Sequence, residues 1–512
     1  MERFTKIILT SIVGLLFTSY SYAGTIESSS LKILFQDEIS VFTNNNLQAD
    51  ETIQAEEVSD NVEEENAEHG HGHGHGEGGM STLDLLALLV MLAAIFMFIN
   101  IHYIKLPGTI GLMIQALVLS LVIVGIGFVF PPIRQAAEDI MREVDFTKVL
   151  LNIMLSFLLY AGALHVDIDK LREEAASVAV LAIVGTLMST FLIGTAIYYF
   201  LGLFDLGYEV SFIYCLLFGA LISPTDPIAV LAILKTTNIS KNLQIKIEGE
   251  SLFNDGIGVV VFLTILAIAT GGGHGHGGGE MTASSVAMLF GQEVFGGVIL
   301  GFAFGALGYW LLVIIDNAHE ELEVLTTLSL VLVGTQLAVF LHFSAPLAMV
   351  VMGLIVGRGN STAGELDEDG NEIEGIAGEY VMKFWHLVDE AMNAILFILI
   401  GLEMLIIVEE SSAAFLQIGL IGIFIILAGR FIGVAVPVTI LDFFKKSAKG
   451  TIPILTWGGL RGGISIALAL SLSADQIGTE IKYLIVTMTY CVVVFSILIQ
   501  GMTIEKLVKR YL

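Results

Sequence analysis

From about residue 82 to its end, the chain alternates long apolar runs with short polar connections. A hydrocarbon layer about 30 Å thick takes about 20 helical residues to cross. Runs of that size fall near 82–103, 108–130, 147–165, 175–202, 209–235, 247–270, 284–314, 324–341, 343–358, 381–408, 412–440, 451–474 and 483–505. The pattern predicts an all-α polytopic membrane protein with about thirteen transmembrane helices. The eighth and ninth runs are short and nearly continuous around Ser344-Ala345-Pro346, which leaves the count open there.

Composition strengthens this reading. Hydrophobic residues make up 55% of the 512 positions and charged residues 14%, too apolar a chain to be hidden from water in a soluble globule. The two cysteines, Cys215 and Cys491, lie inside apolar runs and not at ligand or paired spacing, which argues against a disulfide framework or a cysteine zinc site. The net charge of −28 is concentrated: the stretches 25–80 and 361–380 together supply nineteen of those charges. Such acidic segments repel phosphates, so nucleic acid is not an expected partner.

The amino terminus has Arg3 and Lys6, then an apolar core, then Ser21-Tyr22-Ala23-Gly24. That is the pattern of a signal peptide over 1–23, a short first transmembrane helix being the alternative. Residues 24–80 are acidic and run into His69, His71, His73 and His75 alternating with glycine; with little to bury, this tail is expected to be disordered. The membrane domain follows over 81–505, interrupted by the acidic loop 361–380, and 506–512 forms a short carboxyl-terminal end. If the tail starts outside, the inner loops hold fourteen lysines and arginines and the outer loops four. That bias predicts a multi-pass protein of the cell (inner) membrane, tail outside and carboxyl terminus in the cytoplasm. A second tract, with His274 and His276, then also lies outside.

Ionisable residues inside the runs carry the chemistry, since each costs about 2.5–3.5 kcal/mol at a helix centre on insertion scales. The fifth run contains Ser223-Pro224-Thr225-Asp226-Pro227. Proline removes a backbone donor and disfavours helix in the residue before it, so this run is expected to break in mid-membrane. Freed carbonyls with the Thr225 and Asp226 oxygens would suit a hard cation; a proline kink with a solvated Asp226 is the alternative. The sixth run carries Glu248, Glu250, Ser251, Asn254 and Asp255. Ser251 and Asp255 share one helix face, and Glu250 and Asn254 the neighbouring stripe. These are oxygen ligands for an alkali cation, with nothing soft among them. Arg430 and Arg461 lie in late runs and must be paired or hydrated. Glu250 is the natural counter-ion, with Arg430 the preferred partner and Arg461 the second. Breaks at the fifth and twelfth runs, an odd offset, imply two inverted repeats with interrupted helices.

The segments SPTDPIAVLAILK, GESLFNDGIGVVVF, NAILFILIGLE, GGLRGGISIALALSL and ALHVDIDKL resemble the monovalent cation:proton antiporter family, which includes the sodium/proton exchangers. The resemblance implies a sodium/proton antiporter-like fold and a homodimer in the lipid bilayer. The expected activity is exchange of Na+ (or Li+ or K+) for H+ by alternating access, serving pH and sodium homeostasis, with no enzymatic step and no cofactor. It also implies that Asp255 is the essential carboxylate, that Asp226, Thr225 and Ser251 complete the site, and that Glu250 with an arginine forms a stabilising pair. Asn254 marks the branch that is generally electroneutral. An acid that many relatives carry before ALHVDIDKL is replaced here by Tyr160-Ala161-Gly162. The alternative function is a membrane metal-handling or sensory protein that uses the histidines of the two Gly-His tracts.

Overall fold

The computed structural model describes residues 82–127, 130–132, 135, 154–204, 209–226, 230–231, 241–271, 283–315, 319–358, 377–402, 404–405 and 413–511. The signal-peptide segment, the tail with His69, His71, His73 and His75, the tract with His274 and His276, and most of the acidic loop lie outside the described residues. Among the described residues the fold is helical, with one isolated bridge and no strand.

Helix α1 (Thr82–Ile99) runs into a π-helical turn at Asn100–Ile104, and α2 (Gly108–Gly127) follows. Next come α3 (Leu155–Leu164), the short α4 (Ile168–Glu173), and α5 (Ala175–Val180), joined to α6 (Thr186–Leu201) through the π-helical turn Leu181–Gly185. After these lie α7 (Phe212–Ile222), α8 (Lys241–Ala269), α9 (Ala283–Ile315), α10 (Glu320–Phe340), α11 (Ala345–Gly357), α12 (Glu379–Leu402) and α13 (Ala413–Asp442). The chain ends in α14 (Thr451–Gly458), α15 (Gly463–Leu470), α16 (Ala474–Ile477), α17 (Thr479–Phe495) and α18 (Gly501–Tyr511), the last two joined by the π-helical turn Ser496–Gln500. Nine helical segments among the described residues are long and apolar enough to cross a membrane, and α3, α7 and α11 are shorter apolar helices.

Boundaries differ from the hydropathy reading at several elements, and two of them have a plain physical reason. Helix α8 starts at Lys241, a turn and a half before the apolar run, because Lys246 is buried against Glu174 at 3.2 Å instead of lying in a loop. Helix α10 starts at Glu320; Glu320, Glu321 and Glu323 in its first turn offset the positive end of the helix dipole. The turn between α10 and α11 is tight: His342 adopts φ +55°, and Ser344 caps α11 by accepting from the Leu347 amide.

With lipid tails as apolar as leucine, helices associate here through close packing and not by escape from water. Gly297, Gly301 and Gly305 of α9 lie against Ser344, Ala348 and Ile355, where a β-carbon would collide. The opposite side of α9 exposes Phe295, Ile299, Phe302 and Trp310, as a lipid-facing surface should. Gly401 lies against Ala116, and Ser120 Oγ donates to the Gly401 carbonyl at 2.8 Å, locking α12 to α2. A separate apolar cluster joins α3 to α9, α10, α11 and the start of α12. At its centre is Trp385, whose Nε1 donates to Thr327 Oγ1 at 3.0 Å. Helices α6, α7, α8, α13, α15 and α17 pack around the two interrupted segments that form the site.

Candidate functional site

Helix α7 stops at Ile222, and the chain runs without helical pairing through Ser223–Asp226. Between α14 and α15 the chain is open from Gly459 to Gly462. The two breaks meet: the Asp226 amide donates to the Leu460 carbonyl at 2.8 Å in an antiparallel bridge. The meeting requires glycine. A β-carbon at Gly462 would lie 2.7 Å from Asp226 Cβ, and one at Gly459 would lie 2.7 Å from Arg430 Nε.

Among the described residues the breaks present the negative end of α7 and the positive end of α15, and fixed charges answer both. Arg461 is 2% exposed; its Nη1 donates to the Ser223 carbonyl at 2.9 Å and the Pro224 carbonyl at 3.1 Å, at the negative end of α7. The Asp226 side chain lies against Gly462, at the positive end of α15. The carbonyls freed by the proline break are therefore not left open. Arg461 holds two of them, and the Thr225 carbonyl accepts from Ser251 Oγ.

Helix α8 passes beside this crossing and presents its polar stripe to it. Asn254, fully buried, accepts from the Thr225 amide at 3.2 Å, and its Nδ2 donates to Thr225 Oγ1 at 2.8 Å and to Glu250 Oε1 at 3.0 Å. Thr225 Oγ1 is 3.2 Å from Ser251 Oγ. Glu250 accepts two hydrogen bonds from Arg430, at 2.7 Å from Nη1 and 3.0 Å from Nη2, and both side chains are almost completely buried. Arg430 Nη2 also lies 3.3 Å from the Leu455 carbonyl. Arg461 takes no part in that pair. A small void lies between Thr225, Ser251, Glu250 and Arg430 on one side and Leu455, Gly458 and Gly459 on the other.

Asp255 is 6% exposed, and its Oδ1 is buried without a hydrogen-bond partner among the described residues. It lies within electrostatic range of Asp226, Glu250 and Arg461. The described structure thus gathers Thr225, Asp226, Glu250, Ser251, Asn254, Asp255, Arg430 and Arg461 into one region.

Several contributors were not evident from the sequence. Ser496 Oγ accepts from the Arg461 amide at 2.8 Å and donates to Gln500 Oε1 at 2.7 Å. Gln500 Nε2 reaches the Trp457 carbonyl at 3.1 Å, so the π-helical turn clamps the second break. His165 Nδ1 donates to the Ala161 carbonyl at 2.7 Å, and its ring lies 6.0 Å from that of His386, a pairing that sequence spacing does not reveal. Asp389 and Asn393 sit within a predicted span, where an acid is itself the available signal.

Residues 87–510 match the family model described as "Sodium/hydrogen exchanger, transmembrane". The chain is 45% identical over 437 residues to the Na(+)/H(+) antiporter NhaP of Pseudomonas aeruginosa, covering 84% of this chain and 96% of that protein. It is 32% identical over 406 residues to the Na(+)/H(+) antiporter NhaH of Halobacillus dabanensis, covering 79% and 92%. Among solved structures, the sodium proton antiporter MjNhaP1 of Methanocaldococcus jannaschii superposes with a TM-score of 0.64 at 19% identity, covering 84% of this chain and 98% of that one.

Proposed function

Because this chain belongs to the sodium/hydrogen exchanger family, we propose that it exchanges Na+ for H+ across a membrane, with Asp255 as the carboxylate that holds either ion. The observation that carries this reading is Asp255 Oδ1, a buried and unsatisfied carboxylate oxygen beside two crossed helix breaks. A bare carboxylate in a low-dielectric barrier is costly, whereas its protonated or cation-paired form is tolerable. Only loaded states reorient, and competition for one site makes the exchange without further coupling.

Charge balance supports one cation for one proton. Asp226, Glu250 and Asp255 face Arg430 and Arg461, an excess of one negative charge that a single monovalent ion or proton cancels. Asn254 adds no charge, and its amide is used in joining Thr225 to Glu250. Thr225, Ser251 and Asp226 supply further oxygens, while Glu250, Arg430 and Arg461 hold the breaks in place.

The wider arrangement in this proposal is a homodimer of thirteen-span protomers in the inner membrane, with a cleaved signal peptide, the His/Gly tail outside and the carboxyl terminus in the cytoplasm. The exchanger serves pH and sodium homeostasis. Proteoliposomes assayed with Na+, Li+ and K+, with and without an imposed membrane potential, test it. The expected result is Na+-driven proton movement at a rate independent of the potential; potential-dependent exchange would overturn the stoichiometry, and no Na+ response would overturn the function.

A further inference from the structure

The crossed breaks account for Asp226, Glu250, Asp255, Arg430 and Arg461 but leave two polar residues of α12 without a role. Asn393 is 3% exposed. Its Nδ2 donates to Asp389 Oδ1 at 3.0 Å, while its own Oδ1 is buried with no hydrogen-bond partner among the described residues. Such an unsatisfied oxygen is costly to bury, and here it sits one turn from a half-buried carboxylate.

The helix places this pair on the approach to the exchange site. Positions 389, 393, 396 and 400 share a face of α12. Leu396 lies against Gly463, the residue next to the Gly462 that abuts the Asp226 side chain. Seven residues separate Asp389 from Leu396, about 10 Å of helix, and Asp389 and Asp226 lie within electrostatic range of each other. His386 and Glu390, both exposed, adjoin Asp389 on α12, and His165 comes from α3.

We propose that Asp389 and Asn393 form an outer oxygen site for the monovalent cation, a way-station on α12 from which it passes to Asp226 and Asp255. A carboxylate and an amide oxygen are hard ligands, and their small number suits a weakly held alkali cation better than a divalent ion. Ion passage needs sites that attract without trapping, and a second weak site beside the first meets that need. The pair stands on α12, whose anchors are α2 and the Trp385 cluster, apart from the helix carrying Asp255.

This inference rests on the exchange reading, and the test separates the two. Full-length protein in liposomes is assayed for Na+-driven proton movement as wild type, Asp389→Asn, Asp389→Glu and Asn393→Ala. Asp389→Asn is expected to raise the apparent KM for Na+ about three- to tenfold with Vmax within about twofold of wild type, the size of a lost local attraction for counter-ions. Asn393→Ala should raise KM in the same direction, and Asp389→Glu should bring it back toward wild type. Wild-type KM in both Asp389→Asn and Asn393→Ala, or a fall in Vmax at constant KM, overturns the outer site while leaving exchange intact. Failure of the wild type to couple Na+ to protons overturns the exchange reading and this inference with it.

Discussion

Removing Arg430 should damage the protein by more than the loss of a hydrogen bond. Its guanidinium donates to both Glu250 oxygens, at 2.7 and 3.0 Å, and neither side chain is more than 4% exposed. In Arg430→Met, Glu250 keeps the Asn254 bond at 3.0 Å but loses its hydrogen-bonded ion-pair partner, with Arg461 left to act on it only at longer range. Breaking a buried pair from one side costs about 3–5 kcal/mol, and Glu250→Gln should cost a similar amount by stranding the arginine. In the double variant neither charge remains, so its loss should fall short of the sum by about 2–3 kcal/mol. Denaturant unfolding of the four purified proteins measures this coupling directly. Losses that add to within about 0.5 kcal/mol would refute the pair as a unit. Exchange should also partly return in the double variant if Glu250 is structural; exchange in Arg430→Met with none in the double variant would assign Glu250 a direct role in transport.

Two further perturbations follow from the geometry. Gly462→Ala places a β-carbon 2.7 Å from Asp226 Cβ, overpacking that costs about 1–3 kcal/mol; exchange should fall with the apparent KM for Na+ raised, and unchanged kinetics would show that the approach is not tight. At the end of the bundle where α4, α8 and α13 meet, Glu174 is 3% exposed and accepts from Lys445 at 2.7 Å and pairs with Lys246 at 3.2 Å. Burial works to raise its carboxyl, but the Lys445 and Lys246 hydrogen bonds and charges outweigh it and hold the group below its ordinary value. A depressed carboxyl contributes stability that is fully present above the unfolded-state pKa and is lost as pH falls through the folded-state value. Glu174→Gln should therefore unfold more easily than wild type at neutral pH, with the difference shrinking in acid; a difference independent of pH would contradict the pairing.

How far the sequence could be read depended on the distance over which each residue acts. The spans were legible because membrane thickness imposes a length on every apolar run, and the interruptions were legible because Pro224 and Pro227 flank Asp226 and glycines flank Arg461. The stripe Glu250, Ser251, Asn254 and Asp255 was legible because helical period alone fixes which side chains share a face. Contacts between distant segments were not. Nothing in the local pattern says that the Asp226 amide meets the Leu460 carbonyl, or that Arg461 takes up the carbonyls of a break more than two hundred residues earlier. Lys246, just before the sixth apolar run, has the local pattern of a loop lysine, because its partner, Glu174, lies on another element. Asp389 lies inside the tenth apolar run, but nothing in the local pattern says that its helix meets the second break through Leu396 and Gly463.

The central claim is that Na+ and H+ compete for the Asp255 carboxylate, and everted vesicles carrying wild type or Asp255→Asn test it most directly. Added Na+ should release an imposed acid gradient in wild-type vesicles and leave it intact with the variant at every Na+ concentration. Release by Asp255→Asn at the wild-type rate would show that the two ions meet elsewhere.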